Sequence, residues 1–139
     1  MNWFKYNGKA KLIKWAEKFS AVTDCLEICK IPAIRLTVSI ENIAEILSAI
    51  TWIEFLGKEL LNIGERIVNL ERLYNQRLGL DRKDEWLLGR FRNEPVPEGN
   101  SKGEIIDENC MLEEYYSLKG WNKKGLPIEN KLKDLKIII

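Results

Sequence analysis

The most reactive side chains of this sequence are three thiols, Cys25, Cys29 and Cys110. Cys25 and Cys29 stand four positions apart, so a continuous helix would place both on one face. Thiolates bind metals, but two are too few for a tetrahedral site, and an odd number of cysteines argues against a disulfide framework. From the spacing alone, buried free cysteines are therefore favoured over a metal site.

The sequence contains no histidine and no glycine-rich phosphate loop. The missing imidazole removes the commonest general base, the histidine-dependent nucleophile pairs and every zinc site that needs a histidine ligand. No pair of carboxylates is recognisable as an acid–base set either. The residues alone therefore indicate a helical domain without an obvious catalytic set.

The length and the net charge of the chain limit the classes of protein to which it can belong. With 139 residues, we expect one domain, 1–139, that is large enough for a real core. The formal net charge is +1 and no basic block is present, so nucleic acid is not an expected partner. No apolar run reaches the length of a membrane span, and the N-terminus lacks the apolar region of a signal peptide. We therefore expect no membrane partner and a cytoplasmic location.

Any site must be positioned by the segment 59–79, which has a helical period and no proline. Its apolar residues recur at steps of three and four and predict one buried face: Leu60, Ile63, Ile67, Leu70 and Tyr74. Gly79 is placed to end the helix, since glycine adopts the left-handed turn cheaply. This helix is expected to be the centre of the fold.

The opposite face of the same helix carries Arg66, Asn69, Arg72 and Asn75 or Gln76. Arginine and asparagine offer directional donors that suit buried carbonyl groups between packed elements. The alternative, which the pattern alone favours, is a core helix whose polar side is solvated. Gly64 costs about 1 kcal/mol against alanine inside a helix, so we expect a close approach of another backbone there.

The remaining segments also predict helices, with no clear strand. The first runs from Gly8 towards Cys29 with an apolar face made of Leu12, Trp15, Phe19, Val22 and Leu26. The second runs from Ile40 to Trp52, is capped by Ser39, and has Ile43, Leu47 and Ile50 inward. Connections are expected at Ile31–Leu36 and in the proline- and glycine-rich loop Asn93–Gly103.

The C-terminal part predicts shorter elements. A helical turn is expected at Asp81–Trp86, a helix at Asp107–Leu118 that Gly120 ends, a turn at Trp121–Pro127 and a last helix at Ile128–Leu135. Taken together, these patterns predict an all-α fold of five or six helices.

The amino-acid sequence of the central helix resembles that of a known protein family. Gly-Glu-Arg-Ile-x-Asn-Leu-Glu-Arg-Leu-Tyr-Asn-x-Arg, from Gly64 to Arg77, resembles the C-terminal region of tungsten-containing aldehyde ferredoxin oxidoreductases. Three further segments are similar to that family in the same order: Gly8–Lys30, Arg82–Gly103 and Met111–Pro127. The resemblance covers nearly the whole chain and implies an irregular helical domain like the C-terminal domain of these enzymes.

The resemblance also implies a chemistry. The family oxidises aldehydes to carboxylic acids with tungsten or molybdenum held by two pterins (molybdopterin), and an adjacent 4Fe–4S cluster passes electrons to ferredoxin. Four cysteine thiolates hold such a cluster. Three belong to an upstream motif, and the fourth ends the family motif Asp-x-x-Gly-Leu-Cys. Carried over, Asp24 matches the pterin-contacting aspartate, Ile28 the leucine and Cys29 the cluster ligand.

This sequence departs from the family pattern in two residues and in its extent. Glu27 stands where the motif has glycine, and Trp52 follows Thr51 where glycine is usual. The upstream three-cysteine motif and the upstream catalytic residues have no counterpart in these 139 residues. We therefore expect the isolated chain to hold no tungsten, pterin or iron–sulfur cluster.

Two functions follow from the resemblance. The first is a stand-alone C-terminal fragment, a non-catalytic helical domain. The second is a subunit of a split tungsten oxidoreductase that completes the pterin and 4Fe–4S site with an upstream polypeptide; ferredoxin would be a partner only of that complete enzyme. In either case Leu26, Ile28, Cys29 and Ile31 are expected to form a bare face, which the upstream polypeptide or a second copy would cover.

Overall fold

The computed structural model describes residues 6, 8–29, 31 and 38–138. Within these ranges the chain is helical and has no β-strand, which confirms the predicted all-α class. The helices are α1 (Lys9–Cys25), α2 (Ile40–Thr51), α3 (Gly57–Arg77), α4 (Gly89–Asn93), α5 (Glu108–Lys119) and α6 (Glu129–Asp134), with a 3-10 turn at Arg82–Glu85. No helix of this described part has both the length and the apolar character that crossing a membrane requires.

The predicted helix ends are confirmed at several positions. Ser39 accepts a hydrogen bond from the backbone N–H of Asn42 at 3.2 Å, and the Asn42 side chain accepts one from the Ser39 N–H at 3.1 Å. This reciprocal pair is a capping box and fixes the start of α2. Gly79 and Gly120 have φ of 87° and 69°, in the left-handed region that ends α3 and α5.

The core lies where α1 and α2 both pack against α3. Its buried residues are Phe19, Val22, Ile40, Ile43, Ala44 and Leu60. The closest approach is at Gly64, where a Cβ would overlap the carbonyl oxygen of Lys18 and lie 2.9 Å from its carbonyl carbon. Gly64 thus lets α1 and α3 touch backbone to backbone, which confirms the predicted reason for this glycine.

Several predicted inward positions are wrong. Leu12, Trp15, Ile50, Leu70 and Tyr74 are exposed, although each lies on the apolar stripe of its helix. Periodicity identifies a face that is able to be buried, but burial also needs an element packed on that face. The described elements cover one side of each helix and leave these side chains outside.

The segment between α3 and α5 is the most exposed part of the fold. The short helix α4 was not predicted, while the extended loop at 93–103 is confirmed. Two backbone bonds close the loop, from Val96 N–H to Glu104 O at 3.1 Å and from Gly103 N–H to Val96 O at 2.9 Å. The predicted connection at 31–36 falls, apart from Ile31, outside the described residues.

Candidate functional site

The candidate cofactor residues lie on a turn that ends α1. The N–H of Glu27 donates to Asp24 O at 3.1 Å, and the N–H of Ile28 donates to Thr23 O at 2.9 Å. Glu27 has φ of 56°. These two bonds around a left-handed residue are the Schellman motif, in which glycine is the usual residue at the left-handed position. The turn therefore gives a backbone reason for the glycine of the family motif, at the position where this chain has Glu27.

The same turn explains the apolar residue of the motif. In a Schellman motif, the residue after the left-handed position packs back against the last turns of the helix. Ile28 is half-buried and packs against the core cluster that contains Val22. Ile28 thus holds the turn in place from inside, while Asp24 and Cys29 are both exposed on its outer side.

Two expectations about this region are wrong. Cys25 and Cys29 are exposed rather than buried, because α1 ends at Cys25 and the turn leads Cys29 off the helix. The expected bare face is also smaller, because Leu26 and Ile28 pack against the core. Cys29 and Ile31 remain exposed, with Ile31 64% accessible.

A 4Fe–4S cluster needs four thiolate ligands, and the described residues do not assemble them. No three histidine, cysteine or acidic side chains come together as a metal site in the described ranges. Cys110 lies exposed on α5, away from the α1 turn in the sequence. Cys29 therefore presents one exposed thiol that suits a single metal ligand, and the described residues do not form a cluster site by themselves.

Trp52, the other departure from the family pattern, also has a left-handed backbone. It is the residue after α2, has φ of 60° and is 94% exposed. A non-glycine residue in this conformation costs about 1–2 kcal/mol. Both departures, Glu27 and Trp52, thus keep a conformation that glycine adopts without strain.

The polar stripe of α3 makes bridges to the C-terminal elements, so the solvated polar side that the pattern favoured is wrong for Arg66, Asn69 and Arg72. Arg66 donates from Nε to Leu135 O at 2.8 Å, and Arg72 donates from Nε to Gly125 O at 2.6 Å. Asn69, which is fully buried, accepts from the indole N–H of Trp121 at 2.8 Å. These bonds attach the C-terminal elements to the central helix.

The Arg72 side chain is also held by groups that the sequence did not single out. It forms an ion pair with Glu85 of the 3-10 turn, and its guanidinium lies 5.0 Å from the centre of the Trp121 ring. The Tyr116 hydroxyl donates to the same Glu85 carboxylate. Burial, together with this hydrogen bond, raises the pKa of Tyr116 to about 12. Arg72 Nη2 has no hydrogen-bond partner among the described residues, but the other polar groups of the cluster pair with one another, which fits a structural joint better than a catalytic group.

A second buried network joins three helices through Glu65 of α3. Its carboxylate pairs with Lys14 and Lys18 of α1 and with Lys131 of α6. Burial alone would raise the pKa of this carboxyl, but the hydrogen bonds from Lys131 and Lys18 outweigh it and hold the pKa at about 2. Sequence reasoning missed Glu65, because glutamate and lysine are ordinarily surface residues and no periodicity separates a buried pair from an exposed one.

A third network lies between α1 and α5. Glu17 accepts from the Tyr115 hydroxyl at 2.7 Å and pairs with Lys119 at 3.1 Å. Lys119 is fully buried and its ammonium lies 5.0 Å from the centre of the Trp121 ring. Burial lowers the pKa of Lys119 and raises that of Tyr115. The paired charge and the aromatic faces together make the burial of this lysine tolerable.

Comparisons with known proteins connect this fold to one family. Residues 1–137 match the profile described as aldehyde ferredoxin oxidoreductase, domains 2 and 3. Tungsten-containing aldehyde ferredoxin oxidoreductase of Pyrococcus horikoshii is 38% identical over 128 residues, which are 91% of this chain and 21% of that protein. The protein of the same name from Thermococcus kodakarensis is 37% identical over 93% of this chain and 21% of its own length. The chain thus spans about a fifth of these relatives.

A solved structure is similar over a comparable share of its length. The active-site complex BamBC of benzoyl coenzyme A reductase, solved with 1,5-dienoyl-CoA, matches with a TM-score of 0.75 and 26% sequence identity. The match covers 99% of this chain and 20% of that one. The whole described fold therefore corresponds to one part of a larger oxidoreductase chain.

Proposed function

Because the chain belongs to the aldehyde ferredoxin oxidoreductase family, we propose that it is the C-terminal part of a tungsten oxidoreductase and has no catalytic activity by itself. It acts by completing a cofactor site together with an upstream polypeptide that carries the remaining ligands. When bound, the tungsten–pterin centre supplies the two-electron oxidation of an aldehyde, and the cluster passes the electrons to ferredoxin.

The observation that supports this proposal best is the exposed thiol of Cys29. The Schellman turn leaves both Cys29 and Asp24 exposed at the surface, while Ile28 anchors the turn in the core. In the proposed complex, Cys29 is the fourth thiolate of the cluster and Asp24 contacts the pterin. Ile28 is a positioning residue, since it reaches the cofactor only through the turn that it stabilises.

An apolar surface at the end of α2 supports a polypeptide partner. Its exposed residues are Ile46, Ile50, Trp52, Ile53 and Leu56. Exposed apolar patches of this kind mark interfaces in soluble proteins. The surrounding exposed residues are mostly acidic: Glu41, Glu45, Glu54 and Glu59, with Lys58. A second copy would bring like charges together across a two-fold axis, so a partner whose apolar face has a basic rim is favoured.

The alternative function is a non-catalytic helical domain of the same family. Glu27 and Trp52 favour it, because they stand at the two positions where the family has glycine. If the partner site has been lost, a bulky residue at either position has no consequence beyond local strain. The two functions differ in one measurable property, the binding of an upstream polypeptide with its metals.

The test is anaerobic co-expression of the tagged chain with the polypeptide of the same genome that carries the family's three-cysteine motif. We expect the two to purify together, with tungsten and about four iron atoms per complex, and to reduce a viologen dye with an aldehyde as donor. Benzoyl-CoA is assayed in parallel, because the structural match comes from a reductase of that substrate. The chain alone is expected to hold neither metal.

Cysteine variants assign the ligand. Cys29→Ala is expected to lose the cluster iron while the two polypeptides still associate. Cys25→Ala is the matched control, since this thiol is also exposed and only four positions away. Full iron in the Cys29→Ala complex would contradict the ligand assignment. If no upstream polypeptide binds, or if the isolated chain oxidises aldehydes, the proposed division of the site is wrong.

A further inference from the structure

A cleft of about 450 Å³ lies between the first half of α1, the second half of α3 and α5. Its wall is mainly apolar and includes Ala10, Ile13, Val68, Met111 and Leu112. This volume falls in the range of small-molecule sites, which are typically apolar with a few placed polar groups. None of the comparisons or networks described above gives this cleft a role.

The cleft is separate from the turn that ends α1. Ile13 precedes Asp24 by eleven residues on one helix, which corresponds to about 16 Å along the helix axis. A ligand in the cleft would therefore not touch Asp24 or Cys29. Its binding can be tested independently of the proposed cofactor site.

Two carboxylates of the cleft are already neutralised. Glu17 is bound by Tyr115 and Lys119, and Glu85 is paired with Arg72. These groups form the polar back of the cleft, and their hydrogen-bonding capacity is largely used within the protein. These paired carboxylates therefore shape the cleft, and they present little net charge to a ligand bound there.

Two other carboxylates in the wall are not neutralised. Glu71 of α3, which is exposed, and Glu114 of α5, which is half-buried, line the cleft, and within the described residues neither carboxylate makes a hydrogen bond or an ion pair. Among the described residues of the wall, Lys9 is the remaining charged group, so these side chains together carry one excess negative charge. A cleft with apolar walls concentrates such a field and attracts a cation.

We propose that this cleft binds a small organic monocation, an alkyl or aryl ammonium with an apolar body. The body packs against the apolar wall, around Ile13, Val68 and Leu112, and the ammonium is attracted by the carboxylates of Glu71 and Glu114 in the lining. Carboxylates accept the hydrogen bonds of an ammonium group, and the pairing removes the excess charge. A carboxylate or an uncharged molecule with the same body satisfies only the apolar part.

The test is calorimetric titration of the purified 139-residue chain with n-octylammonium, n-octanol and octanoate at low ionic strength. The three probes share one body and differ in charge, so the wall contribution is common to all of them. We expect the ammonium to bind most tightly and octanoate least. Equal or tighter binding of octanol or octanoate would overturn the proposal, as would the absence of any binding heat up to about 5 mM ammonium.

Charge variants locate the ammonium. Glu71→Gln and Glu114→Gln are each expected to weaken octylammonium binding about fivefold, the effect of losing a partly exposed ion pair. Glu113→Gln is the control on α5, since Glu113 is exposed and does not line the cleft. Wild-type affinity in both cleft variants would refute the proposal, and so would an equal loss in the control.

A filling variant locates the apolar body. Leu112→Trp is expected to abolish binding of all three probes, with the fold checked by circular dichroism. Unchanged binding in a folded Leu112→Trp protein would place the ligand elsewhere and refute the assignment. Should this variant fail to fold, the two glutamine variants still decide the question, because they change charge without changing volume.

Discussion

Replacing Gly64 by alanine tests whether the backbone contact between α1 and α3 organises the fold. Alanine gains about 1 kcal/mol of helix propensity over glycine at an interior position. Its Cβ, however, would overlap the carbonyl oxygen of Lys18, and this atom belongs to the backbone and cannot rotate away. The two helices must therefore move apart next to the core residues Phe19 and Leu60.

The expected change in the free energy of unfolding is the sum of these two effects. Overpacking against a rigid neighbour costs about 3 kcal/mol, and the propensity gain offsets about 1 kcal/mol of it. We expect Gly64→Ala to lose about 2 kcal/mol of unfolding free energy, or about 6 °C in melting temperature for a chain of this size. The result is unusual for a glycine-to-alanine change inside a helix, which ordinarily stabilises.

The assay is urea denaturation followed by circular dichroism at 222 nm, with the slope compared between proteins. Gly89→Ala is the matched control, because a Cβ added to this helical glycine would meet only the Asn93 side chain, at an ordinary 3.5 Å. It is expected to stay within about 0.5 kcal/mol of wild type. A Gly64→Ala protein as stable as wild type would refute the close-contact argument.

Three further results are expected in the same assay. Trp52→Gly and Glu27→Gly should each stabilise by about 1 kcal/mol, because glycine relieves the left-handed backbone; a loss in both would contradict this. Glu65→Gln should cost about 3 kcal/mol, since it leaves three half-buried lysines without their carboxylate. The pKa of Glu65 in the folded protein is depressed to about 2, so its contribution to the unfolding free energy is present above pH 4.5 and is lost as the pH falls towards 2. The difference in unfolding free energy between wild type and Glu65→Gln should therefore disappear over that window in a pH series. Arg72→Lys should cost about 2 kcal/mol and Arg77→Lys, an exposed control, close to nothing.

The sequence predicted the elements well where the signal is local. The Ser39 cap and the stop at Gly79 depend on residues whose role is visible within one helix turn. It also predicted the close approach at Gly64, because an interior glycine is costly unless a neighbour needs the space. These features need no knowledge of what lies across the fold.

The sequence failed where burial depends on a distant partner. Ile50 has the spacing of an inward residue yet is 71% exposed, because no described element packs on that side of α2. Glu65 has the composition of a surface residue yet is buried, because Lys14, Lys18 and Lys131 converge on it from two other helices. Neither fact is encoded in a periodicity.

The candidate site was predictable only through resemblance. Spacing alone favoured buried thiols, whereas Cys29 is exposed. The glycine position of the motif gains its physical meaning from the structure, since Glu27 occupies the left-handed residue of a Schellman turn. A glycine in such a motif can therefore serve the path of the chain as well as the approach of a cofactor.

The bonds that α3 makes to the C-terminal elements have a consequence for which substitutions the protein tolerates. Arg66 and Arg72 donate to main-chain oxygens, and every residue type has such an oxygen. The bond to the carbonyl of Leu135 therefore places no chemical demand on the side chain at that position. Gly125 differs, because a Cβ there would overlap the Arg72 guanidinium. Substitutions in the C-terminal elements are thus limited by side-chain volume and by the path of the backbone. Arg66 and Arg72 themselves tolerate little substitution.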